Sequence, residues 1–346
     1  MSLLEDVLEV ITPAWLTDVL KQRGWLPSGQ VREIVSQAPL PGRSLIIPLR
    51  IAYSVASTSA PERLILKIPQ AAAAGNLREM EFYATFARDE LPLIRCLDVT
   101  FQPFTQRFFI LLEDLSTTHR AHPPSFLPPT IADSERIVKS LAHIHAYWWN
   151  HSELWERGLR PTEPKLQRQH QENVALFAQF ADFLGDRLSA PRRQIYEKVL
   201  THGLPLFTRR MTTGQPLTLI HADLHAGNML YPRHPAKETL RLIDWKSWGI
   251  YPGAFDMTNM LVCYWIRERR QQLQDTLLRR YHHYLLEFGV TNYDWEACWY
   301  DYRLGIIEHL FFPVWQQSVD TPDFAWWHNF DRILTAYDDL NCGELL

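Results

Sequence analysis

The chain has 346 residues, 46% of them hydrophobic and 21% charged, which excludes a disordered or fibrous protein and supplies ample core. A net charge of −4 gives no footprint for nucleic acid as the main partner. No apolar run is long enough for a bilayer and no charged-then-apolar leader opens the chain, so the expectation is a cytoplasmic protein with no membrane partner. The cysteines, Cys96, Cys263, Cys298 and Cys342, stand alone and make neither a zinc pattern nor a disulfide framework.

Thr12-Pro13 predicts a helix start, with Thr as N-cap and Pro at the first helical position. Trp15, Leu16, Val19 and Leu20 share one face and the helix stops near Gly24. Two strand-like runs follow, Ser44 to Val55 and Arg63 to Ile68, with a turn at Ala56 to Pro61. Lys67 interrupts the second run. A lysine inside an apolar strand is costly to bury unless paired, so it is either an edge-strand lysine facing water or one half of an ion pair. Asn76 to Phe86 predicts a helix with Phe82, Tyr83 and Phe86 packed inward. Glu79, three and four positions earlier, shares that face. A strand lysine held by such a glutamate is oriented toward nucleotide phosphates. Arg107 to Leu112 is a further strand, ending in Glu113-Asp114-Leu115. Ala121 to Pro129 is proline-rich and reads as a linker or surface loop.

Helices dominate from there. Ser134 to Trp149 places Ile137, Leu141, Ile144 and Trp148 on one face. His143 and His145 within it lack partners at metal spacing and read as packed or hydrogen-bonded. Gln169 to Leu184 repeats the pattern through Leu176, Phe180 and Phe183, and Arg192 to Phe207 is another helix. Residues 271 to 346 are helical and aromatic. The 13 tryptophans suggest a large aromatic core, or in part the lining of an apolar pocket.

The stretch Leu219 to Gly249 carries the chemistry. Met229 to Tyr231 and Leu240 to Ile243 predict a hairpin, which would bring Asp223, Asn228 and Asp244 to one end. A carboxylate that meets a hydroxyl proton would then stand beside an amide and a second carboxylate able to hold Mg²⁺. Those are the parts phosphoryl transfer needs, because its catalysis is mainly positioning and charge neutralisation. Asp256 follows in GAFD and suits the first turn of a helix.

HADLHAGN, LIDW and GAFDM resemble the aminoglycoside phosphotransferase and choline kinase group, relatives of the protein kinases; the spacing from Asp223 to Asn228 equals that of the kinase HRDxxxxN signature. LILKIP, REMEFY, LLEDL and LAHIHAYWW agree with it, and TPAWLTDVL with REMEFY looks most like the ecdysteroid-kinase-like branch. The resemblance implies an α+β, bilobal protein-kinase-like fold. Its small sheet-containing lobe would span residues 1–115 and its larger, mainly helical lobe residues 116–346. It implies an ATP- and Mg²⁺-dependent kinase acting on a hydroxyl of a small molecule. Asp223 would take the hydroxyl proton, and Asn228 and Asp244 would hold Mg²⁺. Lys67, held by Glu79, would contact the phosphates. Leu112, Glu113, Asp114 and Leu115 would form the hinge whose backbone meets the adenine. Asp256 would brace the catalytic loop and His221 would pack beneath it. Two departures stand out. Ala222 occupies a position where relatives often have glycine, and the phosphate-covering loop near Pro39 to Ser44 has the single Gly42.

Two rival readings differ in class. One is a nucleotide-binding protein of the same fold without turnover, although the base, metal ligands and phosphate lysine are all present. The other is a metal-dependent hydrolase built on His221, Asp223 and His225, which leaves Lys67, Asn228 and Asp244 unexplained. For the acceptor, Asp294, Glu296, Asp301, Glu308, Asp320 and Asp323 would suit a polycationic sugar if they formed an acidic surface. The aromatic excess favours an apolar, flat or choline-like alcohol.

Overall fold

The computed structural model describes residues 11–40, 44–55, 60–69, 74–102, 107–122 and 127–346. Two compact units emerge. The first combines Met1–Ala121 with Leu230–Ser247, and the second combines His122–Met229 with Trp248–Leu346. The loop expected over Pro39 to Ser44 falls partly outside the described residues, Gly42 included.

The first unit opens with α1 (Pro13–Gln22). The Thr12 hydroxyl accepts the Trp15 N–H at 3.1 Å, and Gly24 ends the helix at φ +73°. A five-stranded antiparallel sheet follows in the order β1-β2-β3-β5-β4. The strands are β1 (Val31–Ser36), β2 (Ser44–Tyr53), β3 (Arg63–Pro69), β4 (Cys96–Gln102) and β5 (Arg107–Glu113). Side chains alternate across a strand, so Ile47, Leu49 and Ile51 of β2 and Leu64, Leu66 and Ile68 of β3 join Leu16 and Leu20 of α1 in one core. The same alternation puts Lys67 on the opposite face. The sequence pattern does not mark β1 and β4. Both are edge strands, and the polar VREIVS of β1 buries only Val31 fully.

The helix α2 (Ala74–Thr85) buries Glu79, Phe82 and Tyr83, with Phe86 just beyond its end. A small sheet of β6 (His119–Ala121), β8 (Met229–Pro232) and β9 (Arg241–Leu242) completes the unit. The expected hairpin therefore exists, but Leu230 to Ser247 belongs with the first unit rather than with the helical part. The cause is local bonding: β6 pairs antiparallel with β8, Leu242 bridges Leu93, and Arg241 Nη1 donates to the Leu91 carbonyl at 3.2 Å.

The second unit is helical. In α3 (Ile131–Tyr147) and its C-cap, Ile137, Leu141, Ile144 and Trp148 are fully buried. The His143 ring stacks on Phe288. The helices α4 (Ser152–Glu156), α5 (Glu163–Leu184) and α6 (Ala190–Thr212) follow. The packed face of α5 is Phe177, Phe180, Ala181 and Leu184; Leu176 is half-buried and Phe183 exposed. The expected face is thus rotated by about one position, because Phe177 stacks on Tyr196 of α6 at 4.5 Å. A two-stranded antiparallel ribbon of β7 (Thr218–Ile220) and β10 (Gly249–Tyr251) flanks the loop that carries Asp223. Then come α7 (Ala254–Thr258), a π-helical segment Asn259–Cys263, α8 (Arg267–Glu287), α9 (Trp295–His309), α10 (Phe311–Ser318) and α11 (Asp323–Asp339). Trp148, Trp248, Trp265 and Trp326 are core residues. Among the described residues no helix is long and apolar enough to cross a membrane.

Candidate active site

In the first unit β3 lies between β2 and β5, so Lys67 is not an edge-strand lysine. Its Nζ stands 2.7 Å from Glu79 Oε1 and 3.2 Å from Asp244 Oδ1. Glu79 is 2% exposed and Lys67 12%. Burial works against the lysine's charge, but the Glu79 and Asp244 carboxylates outweigh it and hold the ammonium above the usual lysine range. Asp244 has φ +64°, a left-handed conformation that aspartate tolerates better than most residues. It is followed by a short 3₁₀ turn, Trp245–Ser247, which is anchored because the Trp245 ring stacks on Phe82 at 4.1 Å. Lys246 of this turn places its Nζ 2.7 Å from Asp244 Oδ2. Burial pushes the Asp244 carboxyl up, but the two lysines prevail and bring it down to about 2.

The expected hinge is firmly tied within the same unit. Leu112 is buried in β5 opposite Ile65. The Glu113 N–H donates to the Arg95 carbonyl at 3.0 Å, and its carboxylate accepts the Arg95 N–H at 3.0 Å. Asp114 accepts from Arg63 Nε at 2.9 Å and from the Ser116 N–H at 2.8 Å. The Leu115 carbonyl accepts the Thr118 and His119 N–H groups. The side chains of Glu113 and Asp114 are thus spent on the protein itself.

In the second unit Asp223 lies in the loop after β7, its side chain 21% exposed. Asn228 Nδ2 donates to its carbonyl at 2.8 Å and to its Oδ2 at 3.3 Å. The Tyr264 hydroxyl donates to Oδ1 at 3.3 Å. The loop is clamped by Asp256, which is wholly buried. One Asp256 oxygen accepts the His221 N–H at 2.7 Å and the other the Ala222 N–H at 2.8 Å. His145 Nε2 lies 3.2 Å from the carboxylate, and His145 Nδ1 lies 2.7 Å from the Tyr281 hydroxyl. Burial opposes the Asp256 charge, but these partners outweigh it and hold the carboxyl below its usual range. Asp256 does open a helix, as expected, yet its carboxylate is spent on the loop. Ala222 adopts φ +59°, which accounts for glycine suiting this position.

A divalent ion such as Mg²⁺ takes hard oxygen ligands. Asp244 offers a carboxylate in the first unit. In the second, the Asn228 nitrogen is committed to Asp223, which leaves its carbonyl oxygen as the end available to a cation. The donor chemistry of both residues fits the ion. The His221, Asp223 and His225 cluster does not fit a zinc-type site: His221 Nδ1 accepts the Asp223 N–H and His225 Nδ1 the Gly227 N–H. Among the described residues no three His, Cys, Asp or Glu side chains are placed to share a metal.

The sequence-predicted residues thus fall into two sets, Lys67, Glu79 and Asp244 in the first unit and Asp223 and Asn228 in the second. Sequence reasoning missed Lys246, whose signal is a basic residue two positions after Asp244. It also missed the contact from Tyr264, which is 41 residues from its partner and has no local signal. The acidic surface expected near the C-terminus is in part structural. Asp301 is 1% exposed and paired with Arg210 at 2.6 Å, and Asp294 caps α9 by accepting the Ala297 N–H.

A sheet-bound lysine paired to a helix glutamate in one unit, and an aspartate-bearing loop clamped by a buried carboxylate in the other, are features of a protein-kinase-like fold. The chain belongs to the phosphotransferase enzyme family, whose model matches residues 52–298. An ethanolamine kinase from Plasmodium vivax is similar in structure, at 14% identity and a TM-score of 0.59, covering 96% of this chain and 89% of that one. A macrolide 2'-phosphotransferase from Brachybacterium faecium aligns at 12% identity and a TM-score of 0.49, over 92% and 96% of the two chains. A microcompartment-associated aminopropanol kinase aligns at 12% identity and 0.46, over 94% and 95%. At 14% identity the likeness to the ethanolamine kinase is one of fold. No curated protein matches the sequence.

Proposed function

We propose that the protein is a small-molecule kinase that transfers the γ-phosphoryl group of ATP to an alcohol hydroxyl with the help of Mg²⁺. The observation that carries this reading is the Lys67 ammonium, fixed by a buried glutamate on a central strand and shared with Asp244. In this reading Lys67 binds the nucleotide phosphates and Glu79 orients it. Asp244 and Asn228 hold the metal, which would neutralise phosphate charge when bound. The Leu112 to Leu115 segment meets the adenine. Asp223, oriented by Asn228 and Tyr264, accepts the proton of the acceptor hydroxyl.

The second unit also contains a small cavity of about 50 Å³, lined by Leu204, Phe207 and Phe311 together with His170, Asn173 and Glu308. Its aromatic lining is phenylalanine and tyrosine, while the tryptophans named above are core.

The test is an ADP-coupled screen of apolar alcohols, choline-like alcohols and aminoglycosides, preceded by a thermal-shift titration with Mg²⁺-ATP. Asp223→Asn should keep the nucleotide-induced shift and lose turnover by at least about 100-fold. Full activity in Asp223→Asn would sink the mechanism. No nucleotide-induced shift in the wild type would remove ATP as donor.

A further inference from the structure

Asp244 has both carboxylate oxygens occupied by lysines, Oδ1 by Lys67 and Oδ2 by Lys246. We propose that Lys246 is an exchangeable counter-ion of the metal ligand: its ammonium holds Asp244 Oδ2 until a divalent cation claims that oxygen, and then turns to the phosphates of the bound nucleotide. The inference rests on the phosphotransferase reading above and adds a positioning residue to it.

The charges argue for exchange. Lys67 and Lys246 balance Glu79 and Asp244 within one cluster, so the site is neutral by itself. A further double positive charge placed against it meets two ammonium groups at close range, and the repulsion falls only if one of them leaves. The geometry selects which one. Lys67 cannot leave cheaply, because it is the partner of a glutamate only 2% exposed, and its departure would strand a buried charge. Lys246 is 37% exposed, so water can take over its hydration. Lysine suits this role, being a compact, strongly hydrated charge on a flexible stem.

The backbone would stay in place while the side chain moves. The 3₁₀ turn is pinned through Trp245, stacked on Phe82 with an interplanar angle of 4°. A lysine so anchored keeps its ammonium within a side chain's reach of Asp244. It is therefore placed to meet phosphate oxygens that share a cation with that carboxylate, adding a second positive charge beside Lys67. Lys246 would thus oppose metal binding while paired to Asp244 and assist nucleotide binding once released.

The two effects have opposite signs, which makes the proposal testable without turnover. Affinity for Mg²⁺ alone and for Mg²⁺-ADP would be measured by calorimetry on the full chain, for wild type, Lys246→Met, Lys246→Gln and Lys246→Arg. In Lys246→Met and Lys246→Gln the Kd for Mg²⁺ should fall about fivefold, the order of the competition an exposed ammonium–carboxylate pair supplies. The Kd for Mg²⁺-ADP should rise about fivefold, because loss of a charge-assisted contact to phosphate, worth about 25-fold, outweighs the same relief of about fivefold. Lys246→Arg should restore nucleotide affinity. A lysine with a merely structural role would move both constants in the same direction or neither. Wild type that binds Mg²⁺-ADP, with Mg²⁺ affinity unchanged or weakened in Lys246→Met and Lys246→Gln, overturns this inference and leaves the kinase reading standing. Wild type that binds neither Mg²⁺ nor Mg²⁺-ADP overturns both.

Discussion

Replacing Asp256 with Asn tests the clamp on the Asp223 loop with almost no change of shape. The wholly buried carboxylate accepts two backbone N–H groups, from the buried His221 and the half-buried Ala222, and stands against the buried His145. An asparagine keeps one acceptor oxygen and turns an NH₂ group toward the other N–H. One buried donor left without an acceptor costs about 1–3 kcal/mol, and loss of the charge from the surviving bond adds about 1 kcal/mol. The expected destabilisation is about 3 kcal/mol. In urea, with m of about 3 kcal/mol/M for a chain of this size, the midpoint should fall by about 1 M with m unchanged. The pH dependence supplies a second signature. Asp256 is held below its usual carboxyl range in the folded chain, so its contribution is complete above the unfolded value of about 3.9 and is lost as pH falls through the folded value. The gap between wild type and Asp256→Asn should therefore narrow below about pH 4. A midpoint within about 0.2 M of wild type at pH 7 would refute the reasoning, because two buried N–H groups cannot lose half their acceptor without cost.

Other outcomes follow from the same geometry. Ala222→Gly should raise stability by about 0.5 kcal/mol: relief of a left-handed alanine is worth about 1–2 kcal/mol, and the added freedom of glycine in the unfolded chain returns about 0.4–1 kcal/mol. A melting-temperature scan checks it, and a loss of stability would contradict the backbone assignment. Gly253→Ala would drive a methyl group into the Tyr281 hydroxyl and to 2.9 Å from His145 Nδ1. It should cost about 3 kcal/mol or more by urea unfolding, and a neutral result would mean that the His145–Tyr281 bond is not formed. Asp244, with its carboxyl brought down to about 2, stabilises the fold at neutral pH. That stability is present above about pH 3.8 and is lost as pH falls through about 2. Acid unfolding of Asp244→Asn should be flatter over that window than wild type, and superimposable curves would refute the pairing with Lys67 and Lys246.

Much of the fold was legible because its signals are local. The Thr12 cap, the inward face of α2 with Glu79 and the buried face of α3 follow from periodicities of a few residues that any chain must satisfy to hide apolar surface. The pairing of Lys67 with Glu79 was legible for a related reason: burial of a lone ammonium demands a partner, and the next helix offered one. Edge strands carry weaker patterns, since one side of their ladder has no neighbour, and so β1 and β4 were not read.

By itself the sequence determined which groups are candidates for chemistry and where Lys67, Asp223, Asn228 and Asp244 stand along the chain. Only the tertiary structure decided what those groups touch. It gave Asp223 the Tyr264 hydroxyl, Asp244 a second lysine, and Asp256 the two N–H groups that hold the loop. It also moved the hairpin that bears Asp244 into the first unit, through bonds to β6 and to Leu91 and Leu93. Lys246 reaches Asp244 through a turn only two residues on. The other three depend on hydrogen bonds whose partners are set by the packing of separate elements, and packing is a property of surfaces that meet only once the chain has folded.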